Sequence, residues 1–206
     1  MTDYKKTQKA LYQPATEPSI IDVPEMAFAA IDGRGDPNTS AEYAAAVETL
    51  YALSYAIKMK KDWPAYFDYV VPPLEGFWTC AGETAAPTVI DKSRFLWTML
   101  IRQPEFVAED LFAKAREIAA KKKPGLDFAK ARLERFAEGL CVQIMHIGPY
   151  DDEPRSIRRL AVFAAENGFR EDFATRRHHE IYLSDPRKTA PDKLKTVLRH
   201  PIAKLY

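Results

Sequence analysis

Two rhythms of apolar residues alternate along the chain. Tyr43, Val47, Leu50, Leu53, Ser54 and Ile57 recur at three-to-four spacing, which turns one helical face toward a core. Asn38, Thr39 and Ser40 offer N-caps ahead of them and Asp62-Trp63-Pro64 stands behind, so the spacing predicts a helix reaching about Lys61. Val107, Leu111, Ala115 and Ile118 predict a second helix, opened at Pro104 and stopped by Pro124-Gly125. Ile157, Leu160, Phe163 and Ala164 predict a third, between Pro154 and Asn167-Gly168. The other rhythm has period two. Phe95, Trp97, Met99 and Ile101 alternate on a strand over 93–101, preceded by a strand at 74–80 and a Gly/Pro-bearing loop. Residues 20–23 and 26–32 flank Pro24-Glu25, and residues 131–136 and 140–147 flank Ala137-Glu138-Gly139; each pair reads as a β-hairpin. Strands at 178–183 and 194–200 complete the series.

The order is β-β-α-β-β, a helix, then β-β-α-β-β. Paired strands with inserted helices indicate an α+β fold with mainly antiparallel sheet, not a parallel layout. Short segments repeat in the same order. Phe28–Asp36 (FAAIDGRGD) answers Met145–Asp151 (MHIGPYD), with Gly148 lying 115 residues beyond Gly33. Leu74–Thr79 (LEGFWT) answers His179–Ser184 (HEIYLS) at an offset of 105, which sets Glu75 opposite Glu180. Arg102-Gln103-Pro104 answers Arg199-His200-Pro201 at an offset of 97. Such duplication predicts pseudo-twofold symmetry with a ligand at the seam. Residues 1–18 carry Pro14 and Pro18 and read as an arm on the surface. Residues 19–206 then form one domain of two repeats, about 19–104 and 129–206, linked by a helix at about 105–123.

Composition narrows the partners. Of 206 residues, 47% are apolar and 29% charged, enough for a core without disulfide staples. A net charge of +1 with interleaved signs argues against a nucleic-acid footprint, and Lys121-Lys122-Lys123 suits a helix C-terminus. No apolar run approaches a membrane span, and the N-terminal residues do not read as a secretory signal. Cys80 and Cys141 stand alone, as reduced thiols would in the cytoplasm, the expected location. His146, His178 and His179 lack the spacing of a metal motif, and no phosphate-binding or nucleophile-elbow pattern occurs. Neither a metal nor a cofactor is expected.

Glu180 is the first candidate for chemistry. Strand alternation sets His178, Glu180 and Tyr182 on one face and His179, Ile181 and Leu183 on the other. A carboxylate among aromatics suits a cation or a proton transfer; a solvated partner of Arg176 or Arg177 is the plainer alternative. Glu75 shares a face with Phe77 and Thr79, while Trp78 looks the other way. The dense aromatic run from Trp63 through Phe67 and Tyr69 to Trp78 offers either core packing or pocket walls. Trp97 faces the same choice on its strand. Tyr150, at a helix entrance after Gly148-Pro149, could present its hydroxyl to a ligand.

Four segments, in order, carry a resemblance: VPPLEGFW (71–78), WTMLIRQP (97–104), HIGPYDDEP (146–154) and HHEIYLSDPRKTAPDKLKTVLRHP (178–201). From about residue 18 onward the chain resembles stand-alone members of the GyrI-like small-molecule-binding family. The resemblance implies two SHS2-type modules about a pseudo-twofold axis with a ligand cleft between them. It also implies kinship with the drug-sensing domains of MerR-type multidrug regulators, whose buried glutamate among aromatic rings falls at Glu180. Some stand-alone relatives hydrolyse cyclopropanoid alkylating compounds, which would make Glu180 a general base and Tyr150 a proton donor. Glu75, Phe77, Trp63, Phe67, Tyr69, Trp78, Trp97, His178 and Tyr182 would then bind the ligand. A drug-like aromatic or cationic molecule is the implied partner, without nucleic acid or membrane. A binder or sensor without chemistry is the alternative, and a topoisomerase-inhibiting protein contact a third.

Overall fold

A computed structural model describes residues 1–80, 91–174 and 176–205. Two short helices, α1 (Tyr4–Thr7) and α2 (Lys9–Tyr12), precede a 16-residue strand β1 (Ser19–Arg34) and the helix α3 (Ala41–Met59). Strands β2 (Leu74–Cys80) and β3 (Phe95–Gln103) lead to α4 (Glu109–Lys122). The second half is β4 (Arg132–Ile147), α5 (Glu153–Glu166), β5 (Phe169–Glu171), β6 (His178–Tyr182) and β7 (Lys195–Lys204). The ladders between these strands are antiparallel, in the order β4-β1-β3-β2-β6-β7-β5, and β4 also pairs with β7. Six strands therefore close into a barrel, and β5 extends its edge. The loop expected between β2 and β3 lies largely outside the described residues.

Neither expected hairpin forms. Residues 19–34 run as one strand, as do residues 132–147, and the two pair along most of their length. Pro24 interrupts the ladder for a single residue, between the Val23–Gly139 and Glu25–Ala137 pairs. Gly139 adopts φ 65°, a left-handed backbone that costs glycine little, and lets β4 bend opposite that gap. Turn-forming residues here bend two long strands that already have partners.

The closed sheet separates two kinds of core. Trp97, Met99 and Ile101 of β3 point outward onto Leu50, Leu53 and Ile57 of α3 and Phe112 of α4. Val142, Ile144 and Leu198 point outward onto Ile157 and Leu160 of α5. Phe28, Phe77, Leu100, Ile181 and Val197 point inward. Three side chains anchor the N-terminal arm: Tyr4, Leu11 and Tyr12 join this inner cluster, while most of residues 1–18 stay at least partly exposed. Gly33 faces Trp97 across the β1–β3 ladder, and the indole occupies the space a Cβ would need, 2.1 Å from Cη2.

Charge is also sealed inside. Arg199 donates to Glu138 at 2.8 Å, to Gln143 at 3.1 Å and to the Leu11 carbonyl at 2.7 Å. His179 lies 3.0 Å from Glu138 and 3.0 Å from Glu75, and Tyr12 donates to Glu75 at 3.4 Å. Burial disfavours every one of these charges. The neighbouring anions nonetheless raise the His179 pKa to about 9, and His179 with Arg199 lower that of Glu138 to about 2. Two cations face two carboxylates, so the buried set is neutral overall.

The pseudo-twofold connectivity is present: β1, α3, β2 and β3 correspond to β4, α5, β6 and β7. Phe28 pairs with Arg102 as Gln143 pairs with Arg199, which preserves the 115 and 97 offsets. Leu74 pairs with Ile101 as Glu180 pairs with Leu198. Leu74, not Glu75, is thus the counterpart of Glu180. The sequence match is one residue out of register, and one residue on a strand reverses the face. Glu75 consequently points into the barrel and Glu180 out of it.

Candidate functional site

A cleft of about 1210 Å³ opens on the outer face of the barrel, bounded by α3 and the start of α5. The β2–β6 ladder supplies its floor with Trp78, His178, Glu180 and Tyr182. On α3, Tyr43, Val47, Tyr51 and Tyr55 succeed one another at four-residue spacing and form one wall. Phe95, Tyr150 and Ile157 line the remainder.

Local sequence explains the floor. Gly76 and Trp78 face the same side of β2, and a Cβ on Gly76 would fall 2.7 Å from the Trp78 indole nitrogen. The missing side chain lets the ring lie back over the strand. From there Trp78 Nε1 donates to the Tyr182 hydroxyl at 2.8 Å, and that hydroxyl donates to Glu180 Oε2 at 2.6 Å. His178 Nε2 meets Glu180 Oε1 at 2.9 Å. Tyr43 stands 6.1 Å from Trp78, and Tyr150 meets Tyr182 edge-on at 5.9 Å, ring centre to ring centre.

A second carboxyl completes the floor. Glu153, at the first position of α5, is buried, and its Oε1 has no hydrogen-bond partner. Burial, then the negative Glu180 beside it, pushes Glu153 well above the ordinary carboxyl range, so of the two carboxyls Glu153 is the one that favours the proton. Burial pushes Glu180 the same way, but the hydrogen bond and charge of His178, with the Tyr182 hydroxyl, bring it below the ordinary value. Neighbouring carboxyls are thereby split into an acid and a base, the arrangement that proton-transfer chemistry needs. The Tyr150 hydroxyl is pushed up to about 12 by burial, then by Glu153 and Glu180, and stays protonated.

Of the residues expected at the site, Glu180, Tyr150, Trp78, His178 and Tyr182 line the cleft together. Glu75 and Phe77 face the barrel interior, where Phe77 packs on His179 at 4.5 Å. Trp97 lies beneath the cleft wall, edge-on to Tyr43 at 5.3 Å. Trp63 closes the end of α3 by donating to the Ile57 carbonyl at 3.1 Å. Phe67 and Tyr69 pack with Phe106 in a separate aromatic cluster. Glu153, Tyr51 and Tyr55 are not among the residues expected at the site, and Tyr43 and Val47, expected on a core face, line it instead. A second stripe, Tyr43-Val47-Tyr51-Tyr55, marked that wall; Glu153 had only its place before Pro154 as a sign. His146 pins the start of α5 through Ser156 and the Pro149 carbonyl. Among the described residues, Glu153, His178 and Glu180 bring one possible ligand atom each within 4.8 Å of one another. No helix among them is long and apolar enough to cross a membrane.

Known proteins share this architecture. An uncharacterized conserved protein from Listeria innocua is 47% identical, with a TM-score of 0.93 over 98% of this chain and 100% of its own. A hydrolase from Listeria innocua is 45% identical, with a TM-score of 0.90 over 98% and 100%. The C-terminal domain of EcmrR shares the fold at 12% identity, with a TM-score of 0.55 over 91% and 98%. No curated protein matches the chain. The GyrI-like small molecule binding domain matches residues 16–203, and the chain belongs to that family.

Proposed function

We propose that the cleft takes up a flat aromatic molecule and hydrolyses ring-strained electrophiles of the cyclopropanoid type. The observation that carries this reading is a pair of neighbouring carboxyls at the floor of an aromatic cleft, Glu153 with an unpartnered buried oxygen and Glu180 held by His178 and Tyr182. For a cyclopropane fused to a conjugated dienone, Glu180 accepts a proton from water as the water oxygen bonds to a ring carbon. The ring C–C bond breaks, and its electron pair passes through the dienone to the carbonyl oxygen. Glu153, or Tyr150 in its place, protonates that oxygen. The product is the substrate plus one water. Where Glu153 is the donor, the pair still holds one proton, and its return from Glu180 to Glu153 resets the site. General acid–base assistance of this kind contributes ~10²–10⁴-fold.

The similarity to a hydrolase from Listeria innocua at 45% identity supports a catalytic cleft. Binding without chemistry is the second reading, and it draws on the same anion among aromatic rings, which suits a lipophilic cation. Incubation with a spirocyclopropyl-dienone alkylator and mass spectrometry separates the two. Wild type should yield the water adduct, and Glu180→Gln should slow its formation by ~10²–10⁴-fold while neutral aromatic ligands still bind. Unchanged compound together with ligand protection against thermal unfolding would leave a binding protein.

A further inference from the structure

Two histidines join the cleft to the edge of the sheet. His178 on β6 and His200 on β7 lie one step beyond the His179–Arg199 pair and share the outer face with Glu180. Their rings stand 4.8 Å apart, and both are buried. His178 Nε2 meets Glu180 at 2.9 Å, His178 Nδ1 meets His200 Nε2 at 2.6 Å, and His200 Nδ1 meets Glu171 of β5 at 2.5 Å. Glu171 is partly open to water, with 27% of its side chain exposed.

A hydrogen count bears on the charge of this relay. Three contacts need three hydrogens, and two neutral imidazoles supply two. With both end carboxylates ionised, the outer contacts use the Nε2–H of His178 and the Nδ1–H of His200. The middle contact would then set two lone pairs against each other at 2.6 Å. A third hydrogen is required, and it makes one ring an imidazolium. The counter-anion beside His178 is the better shielded one, Glu180 at 13% exposed against Glu171 at 27%, which favours the charge on His178.

Among the described residues, the other groups that face Glu180 directly do not supply a cation. Tyr182 shares β6 with it, Tyr43 comes from α3, Tyr150 from the turn before α5 and Glu153 from α5 itself. At the rim, Lys92 pairs with Asp151 at 3.0 Å. A metal ion among Glu153, His178 and Glu180 would need the nitrogen that His178 gives to Glu180.

We propose that Glu171 and His200 are positioning residues of the cleft: they hold His178 as an imidazolium, which keeps Glu180 anionic and leaves the proton of the carboxyl pair on Glu153. The consequence for turnover rests on the reading of Glu180 as the base; the placement of the proton does not. With a neutral amide at 171, His200 can adopt the other tautomer and donate its Nε2–H to His178, so the extra proton is no longer required.

Nitrogen-15 NMR of the histidine-labelled full chain reads the proton directly. In the wild type, His178 should show two protonated nitrogens between pH 6 and 8, and His200 one. In Glu171→Gln, His178 should become neutral at a pH lower by about one unit or more. Glu171→Asp should retain the wild-type pattern. The acid limb of the turnover–pH profile should rise by a similar amount in Glu171→Gln alone, whereas a merely structural role would lower thermal stability and leave the limb in place. A neutral His178 in the wild type at pH 7 overturns the proposal, as does an imidazolium that persists unchanged in a folded Glu171→Gln. If that variant fails to fold, His200→Gln serves instead: its amide can donate to His178, and a persistent imidazolium overturns the proposal equally. Absence of turnover with the NMR pattern intact would refute the hydrolase reading and leave the proton placement standing.

Discussion

Replacing His179 with glutamine tests the barrel's internal charge network through pH. His179 lies between Glu138 and Glu75, wholly buried, with a pKa of about 9 in the folded protein. The unfolded chain releases the same proton near ~6.5. The folded state therefore keeps a proton that the unfolded state loses. Stability from this source is complete below about pH 6.5 and disappears as pH rises through about 9. That separation, about 2.5 on the pH scale, corresponds to ~3–4 kcal/mol at ~1.4 kcal/mol per decade, of which ~3 kcal/mol falls between pH 6.5 and 9. Screening takes little from it, because no water reaches the group. Paired with Glu75→Gln, which keeps the buried set neutral, His179→Gln removes the titration, and the change in shape adds an offset that pH does not move. The stability difference between wild type and variant should thus shrink by ~3 kcal/mol between pH 6.5 and 9. Urea unfolding followed by tryptophan fluorescence, repeated at half-unit steps, measures it directly. A difference constant to within ~0.5 kcal/mol across that window would refute a buried imidazolium at this position.

Glycines beneath the two large indoles give further tests. Gly76→Ala sets a methyl 2.7 Å from Trp78 Nε1 and should break its bond to Tyr182; binding of an aromatic ligand, measured by fluorescence titration, should weaken by about tenfold, the equivalent of one lost hydrogen bond. Gly33→Ala drives a methyl into the Trp97 ring and should destabilise by ~1–3 kcal/mol in denaturant unfolding. Adding Trp97→Phe should make the double variant less unstable than the two single costs combined.

Helical periodicity was the most readable feature of the sequence. The predicted helices correspond to α3, α4 and α5, with α4 beginning at Glu109, five residues beyond Pro104, and with Tyr43 and Val47 of the predicted core stripe of α3 turned to the cleft. The strand at 74–80 also matches β2. Proline and glycine misled at Pro24 and Gly139, since the same residues serve a reversal or a bend and only the partner strand decides which. Matching Glu75 to Glu180 failed for a related reason: similarity of residue type does not fix parity, whereas ladder pairing does. Aromatic density from Trp63 to Tyr69 looked like a pocket wall and is a packing cluster, because apolar rings satisfy both demands alike. Alternation placed Glu180, His178 and Tyr182 together. Its acid partner Glu153 came from a different element, 27 residues earlier, where no periodicity could announce it.

The bond from Arg199 to the Leu11 carbonyl joins residues 188 positions apart. Barrel closure, the docking of residues 4–12 and the neutralisation of the inner carboxylates therefore depend on contacts between opposite ends of the chain. Long-range closure of this kind makes folding slow, because chain entropy is lost before the contacts that reward it form. During synthesis β1 waits for β4, and Glu138 waits longer still for the cation that neutralises it. The nascent protein spends that interval with an open sheet edge, its period of greatest exposure to misassembly.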